Sequence, residues 1–264
     1  MPVRLTLPPT LPERIRATGR PQIGMWVCSG SALVAEICAG SGLDWLLIDM
    51  EHAPNGLGSV LAQLQAVAAY PVAPVVRVPA NDPVVLKQVL DLGAQTVLVP
   101  MVDTADEAAA AVRAVRYPPD GIRGVGSALG RAARWNRVEG YLTGAAGSVA
   151  LIAQIETATA VEQADAILAT PGVDAVFVGP SDLAASMGLL GRQEHPDVVA
   201  AVERVLEAGA RAGIPVGVNA FAPATADRYL AAGAAFVLVG ADVAVLARSA
   251  EGFAERFGRG EEQG

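Results

Sequence analysis

The stretch Pro74–Met101, PVVRVPANDPVVLKQVLDLGAQTVLVPM, decides the fold class. Its first five residues are apolar except for Arg77, and its last six (Thr96–Met101) are apolar and β-branched. Both read as short buried strands. Between them Asp82 is placed to cap a helix, Pro83 suits the first helical position, and Gly93 falls just past the end. The unit is strand, helix, parallel strand.

The same pattern recurs in both directions along the chain. Strands are predicted at Ile23–Cys28, Trp45–Met50, Pro74–Val78, Thr96–Met101, Ala150–Glu156, Asp174–Gly179, Pro215–Asn219 and Ala235–Gly240. Helical patterns lie between them. One begins at Thr104, with Glu107 three residues on as a capping box. Eight alternations in 264 residues predict a single (β/α)8 TIM barrel spanning 1–264. A doubly wound sheet would carry a glycine-rich dinucleotide turn after its first strand, and CSGSALVAE lacks that spacing. One connection breaks the rhythm. Arg116–Ser148 is too long for a plain linker and is expected to be a functional loop or a subunit contact.

Composition excludes several classes. Hydrophobic residues make up 52% and charged residues 17%, enough for a large core and unlike a disordered chain. The net charge of −8 argues against nucleic acid and against an anionic membrane as partners. No apolar run approaches the roughly 18 residues of a spanning helix, and prolines interrupt the N-terminus where an export signal needs an apolar segment. Cys28 and Cys38 lack zinc-site spacing and fit a reducing, cytoplasmic setting as small core residues.

In a barrel of this class the site forms at the C-terminal strand ends. There the sequence gathers Trp26 and Cys28, then Asp49, Glu51 and His52, then Arg77, Gln154, Glu156, Ser181, Asp182 and Asn219. Glu156 and Asp182 end neighbouring strands, about 4.8 Å apart, and two carboxylates at one height suit a hard cation such as Mg²⁺ or Mn²⁺. Helix capping is the alternative role for either acid. Ser181 and Asp182 open a helix whose N–H groups suit an anion. Arg77, within an apolar strand, needs a carboxylate partner (Asp49 or Glu51) or a bound anion. His52, as an imidazole, suits proton transfer, whereas His195, just before a helix, reads as structural. Lys87 is the only lysine and lies mid-helix, so Schiff-base chemistry at the rim is excluded.

The segments DWLLIDMEHAPN (44–55), APVVRVP (73–79), YPPDGIRGVGSALGRAARWN (117–136), QIET (154–157) and GVDAVFVGPSDLAASMG (172–188) together resemble the HpcH/HpaI aldolase family. The likeness runs from about Gly19 to the C-terminal helix. It implies a divalent metal (Mg²⁺, Mn²⁺ or Co²⁺) at Glu156 and Asp182, and reversible cleavage of 4-hydroxy-2-oxoacids to pyruvate, or hydroxypyruvate, and an aldehyde. It also implies substrate contacts from Gln154, Ser181 and Asp182, stabilisation of the enolate-like transition state by Arg77, and His52 as the base, acting through water. Asp91 matches the acid that raises the basicity of that histidine, with Asp49 a second candidate. Family members are hexamers that exchange C-terminal helices, and Arg116–Ser148 is expected to help close sites across subunits. The departures are Met50 in place of a glycine, a missing tryptophan in VPAND, and a divergent GVNAFAPATADRY; they bear on the aldehyde pocket. Other readings are a 2-keto-3-deoxy sugar-acid aldolase, a citrate-lyase-like coenzyme A thioester lyase, which would want a basic surface, and a non-catalytic oxoacid-binding barrel.

Overall fold

The computed structural model describes residues 3–126 and 128–258. Eight parallel strands close on themselves in sequence order. They are β1 (Gln22–Val27), β2 (Trp45–Asp49), β3 (Ala73–Arg77), β4 (Thr96–Val99), β5 (Ala150–Ile155), β6 (Ala175–Val178), β7 (Val216–Asn219) and β8 (Phe236–Ala241). The doubly wound alternative is excluded by the β1–β8 pairing.

Among the described residues twelve α-helices accompany them. α1 (Leu11–Thr18) precedes the barrel, and α2 (Ala32–Ala39), α3 (Leu57–Ala66), α4 (Pro83–Asp91) and α5 (Ala105–Val115) follow the first four strands. α6 (Tyr141–Ser148), α7 (Ala158–Glu162), α8 (Ala164–Leu168), α9 (Pro180–Ser186), α10 (Pro196–Ala212), α11 (Pro223–Ala231) and α12 (Asp242–Phe257) complete the order. The expected start signals are present: Asp82 accepts from the N–H of Val84, and Thr104 and Glu107 form a reciprocal capping box. His195 caps α10, its ring accepting from the N–H of Asp197.

Two apolar layers hold the barrel. One lies between strands and helices, and the other fills the interior with Leu11, Trp45, Leu47, Phe177 and Phe236. Space for the large interior rings comes from glycine. A Cβ on Gly24 would lie 2.6 Å from the Trp45 ring, and one on Gly217 would lie 2.4 Å from the Phe236 ring. Leu11 of α1 is fully buried in this interior layer, and its N–H donates to Thr96 at the start of β4. The N-terminal helix therefore closes the bottom of the barrel.

Six strands, β1 to β6, end one or two residues sooner than the apolar runs predict. β2 stops at Asp49, β4 at Val99 and β5 at Ile155. Asp49 turns the chain by accepting the N–H groups of Glu51 and His52, and Met101 takes a left-handed φ of 55°. Glu51, His52 and Glu156 thus sit just past the ladder, where their backbones are free to turn, while Asp49, Arg77 and Gln154 remain in it.

Arg116–Ser148 leaves the end of α5 and returns to the start of β5, so it lies at the N-terminal end of the barrel. It has a small core of Ala132, Ala133, Tyr141 and Ala145, and Arg134, Trp135 and Asn136 all have positive φ. Ile122, Val125, Leu129 and Trp135 face outward from it. Within one chain this segment lies at the opposite end from the strand-end mouth. Topology alone requires this, because each helix returns the chain to the bottom.

Candidate active site

The mouth of the barrel is a cleft of about 290 Å³ whose walls include Trp26, Asp49, His52, Arg77, Gln154, Phe177, Ser181, Asp182 and Asn219. Arg77 is at its centre. Nε and Nη2 donate to the two oxygens of Asp49, each at 2.8 Å. Nη1 lies 2.8 Å from Oε2 of Glu51, off the N–H direction, so that oxygen forms an ion pair but accepts no hydrogen bond. The guanidinium stacks over the Trp26 ring, 4.3 Å from its centroid. A buried guanidinium is tolerable only with this pairing, and both proposed carboxylate partners contribute.

Glu156 follows β5 and is 2% exposed. One oxygen accepts from the Met101 N–H at 2.7 Å, and the other from the Gln154 amide. Burial raises its carboxyl, the two hydrogen bonds pull against that, and the charges of Glu51 and Asp182 add to it, leaving it pushed up to about 7. Burial likewise raises the Glu51 carboxyl against the pull of Arg77 and His52. Three acids therefore feel one another around a single arginine. Gly179 keeps this pocket open, since a Cβ there would lie 3.0 Å from Oε2 of Glu156. Ser181 and Asp182 lie in the first turn of α9, where Pro180 lacks an N–H. Gln154 is buried, with Oε1 unpartnered.

His52 is exposed, its side chain 66% accessible. The carboxylate nearest its ring is Glu51, with Nε2 4.0 Å from Oε1. Asp49, one of the two acids expected to orient the imidazole, meets the His52 backbone N–H and Arg77 instead. Asp91, the other, ends α4 at the bottom of the barrel and accepts from Nη2 of Arg123 at 2.7 Å. Within one protomer Asp91 does not join the mouth.

Other features of the mouth carry no local sequence signal. Met101, with its positive φ, aims its N–H at Glu156, strain of a kind concentrated at functional sites. Asp242 accepts the N–H groups of Cys28 and Ser29, tying the loop after β1 to α12. Cys28 lines the mouth rather than the core. Burial and the charges of Asp49 and Asp242 push its thiol up to about 12, so it is no nucleophile at neutral pH.

These features define a (β/α)8-barrel enzyme with an acidic mouth centred on one arginine. The model of the HpcH/HpaI aldolase/citrate lyase family matches residues 22–249, and the chain belongs to that family. It is similar to the 4-hydroxy-2-oxo-heptane-1,7-dioate aldolase of Shigella flexneri, 55% identical over 240 residues, covering 91% of this chain and 90% of that one. Among solved structures, an HpcH/HpaI aldolase/citrate lyase family protein from Burkholderia cenocepacia J2315 superposes with a TM-score of 0.89 at 47% identity, covering 93% of this chain and 98% of that one. The HpcH/HpaI aldolase of Desulfitobacterium hafniense DCB-2 follows at 0.86 and 30%, covering 97% and 100%.

Proposed function

We propose that this chain is a class II, divalent-metal-dependent aldolase that reversibly cleaves 4-hydroxy-2-oxoacids to a pyruvate-type oxoacid and an aldehyde. The observation that carries this reading is the buried Glu156, held by Met101 and Gln154 beside the charges of Glu51 and Asp182. The donor set fits a hard cation. It offers carboxylate oxygens in an open glycine-backed pocket, and burial without a counter-charge leaves Glu156 near 7. Among the described residues no group of three or more His, Cys, Asp or Glu side chains gathers in metal-binding geometry. Mg²⁺ and Mn²⁺ need only one or two protein carboxylates and fill the remaining positions with water and substrate. Glu156 and Asp182 would hold it.

When bound, such a cation supplies Lewis-acid polarisation of the oxoacid's keto and carboxylate oxygens. The remaining work falls to the chain. Gln154 and Ser181 orient the oxoacid. His52, solvent-accessible beside the mouth, takes the proton of the 4-hydroxyl through water. As the C3–C4 bond breaks, its electron pair moves towards the C2 oxygen, and the Arg77 guanidinium, locked by Asp49 and Glu51, stabilises the charge that develops. Return of a proton to C3 completes the oxoacid and releases the aldehyde. Lys87 sits on the outer helix α4, so no imine route competes.

Assembly follows the same reading. α12 buries only Asp242 and leaves Val245, Leu246, Phe253 and Phe257 exposed. This supports exchange of C-terminal helices in a homohexamer, in which Asp91 and the Arg116–Ser148 segment act on a neighbouring subunit's mouth. The free thiols Cys28 and Cys38 support a cytoplasmic setting, and among the described residues no helix is long and apolar enough to cross a membrane.

The test is pyruvate release from 4-hydroxy-2-oxoacids by the purified protein, before and after chelation and after restoring Mg²⁺, Mn²⁺ or Co²⁺. Loss on chelation and recovery on metal addition is expected. Undiminished release in chelator overturns the reading.

A further inference from the structure

The end of the barrel opposite the mouth holds a second cavity, of about 230 Å³. It lies beneath the starts of β3 and β4, between α1, the end of α3 and the segment that precedes α1. Leu5, Leu7, Leu64 and Val72 give it apolar walls. Three arginines line it as well: Arg14 from α1, and Arg131 and Arg134 from the long loop after α5.

No acid answers them. Among the described residues none of the three forms an ion pair. Arg77, Arg116 and Arg123, also shielded from water, each have a carboxylate. Asp91, one residue before a carbonyl that Arg131 holds, is taken by Arg123. Arg131 and Arg134 also crowd each other. A Cβ on Gly93 would lie 2.8 Å from Nη1 of Arg131 and 2.6 Å from Nη1 of Arg134, so two like charges converge on one point. Burial, and then the charge of Arg134, push the Arg131 guanidinium down to about 10. Burial lowers Arg14 and Arg134 too.

Backbone carbonyls account for only part of this. Arg131 donates to the carbonyls of Leu92 and Leu64, near the C-terminal ends of α4 and α3. Arg14 donates to Pro71, and Arg134 to the Arg131 carbonyl. Such oxygens carry fractional charge and leave donors over on every guanidinium. Nε of Arg14 is one of these, buried and without a partner. A buried donor on a cation is costly to leave unmet. We propose that this cavity binds a small dianion, a dicarboxylate or a phosphate, gripped by the guanidinium forks of Arg14, Arg131 and Arg134. The anion supplies the acceptor that Arg14 lacks and offsets the repulsion between the other two. It also bridges α1 to the loop after α5, fastening the N-terminal segment beneath the barrel.

The test uses the assembled protein with succinate and with inorganic phosphate as probes. Calorimetry in chloride at constant ionic strength gives the affinity of each, with and without Mg²⁺ and pyruvate to fill the mouth. At least one probe is expected to bind in both conditions and to raise the Tm. The tighter of the two identifies the ligand class. Arg14→Gln and Arg134→Gln are each expected to weaken that binding at least about tenfold, the scale of a charge-assisted hydrogen bond. Phenylglyoxal labelling, mapped by mass spectrometry, needs no variant. The bound anion should slow modification of Arg14 and Arg134 and leave the exposed Arg16 and Arg248 unaffected. Binding of neither probe, or binding that pyruvate abolishes, overturns the proposal. So does an affinity that changes less than about twofold in both variants, or equal protection of all four arginines.

Discussion

Arg77 and Asp49 are direct partners in the β2–β3 register, and their side chains meet again above it through two parallel 2.8 Å hydrogen bonds. The ladder thus sets the backbone spacing of the pair, and the planar guanidinium matches the carboxylate across that gap. Glu51 takes the remaining edge. Because the guanidinium is held on two sides and from below by Trp26, it has little freedom left, which a transition-state stabiliser requires.

Replacing that fork tests whether its shape or only its charge matters. Arg77→Lys keeps the charge and loses the second bond to Asp49, which is itself 1% exposed. Pyruvate release is expected to fall at least about 100-fold in kcat/KM. Stability is expected to fall by about 2 kcal/mol, and by about 3–5 kcal/mol in Arg77→Ala, where Asp49 is left buried without a counter-ion. Thermal or urea unfolding beside the assay checks both.

Glu156 predicts a pH dependence with a definite sign. Its carboxyl rises from an ordinary value of 4.5 to about 7 in the folded chain, so the folded state binds the proton more tightly than the unfolded state. Stability from this group is therefore present below pH 4.5 and declines as pH rises to about 7. Without metal, wild type should lose stability relative to Glu156→Gln across that interval. Denaturation curves for both proteins at several pH values, with and without Mn²⁺, give the comparison. The metal should abolish the decline in wild type only.

His52 separates chemistry from folding. Its side chain is largely exposed, and among the described residues the carboxylate nearest its ring is Glu51 at 4.0 Å. His52→Ala is expected to leave the melting temperature within about a degree, since exposed substitutions change stability by less than roughly 0.5 kcal/mol. Turnover should fall by about 10²–10⁴. A variant that loses stability and activity together would mark the residue as structural.

Asp91 should behave in the opposite way within a single chain. It is the carboxylate partner of Arg123, a guanidinium 2% exposed and stacked on Tyr117. Asp91→Asn is expected to destabilise the bottom of the barrel by about 2 kcal/mol, the scale of a charged hydrogen bond. Activity across subunits is checked by mixing Asp91→Ala and His52→Ala proteins after mild dissociation. Recovered turnover in the mixture places Asp91 in a neighbour's site.

The eight strands, the capped helix starts at Asp82 and Thr104, and the gathering of polar residues on one rim are all legible in the order of the amino acids. Each is a local signal: apolar runs, capping spacings, and the rule that strand ends in a parallel barrel share a face. Three-dimensional packing alone sets which acid stands beside the His52 ring, that Met101 turns its N–H onto Glu156, 55 residues away, and that Trp26 orients an amide 193 residues on. It also separated Asp91 from the mouth, an outcome latent in the return of α4 to the bottom of the barrel. The physical reason is range. Strand and helix signals act over a few residues, whereas a hydrogen bond between strands is set by register, barrel closure and the packing of rings such as Trp45 and Phe236, which the whole chain determines together.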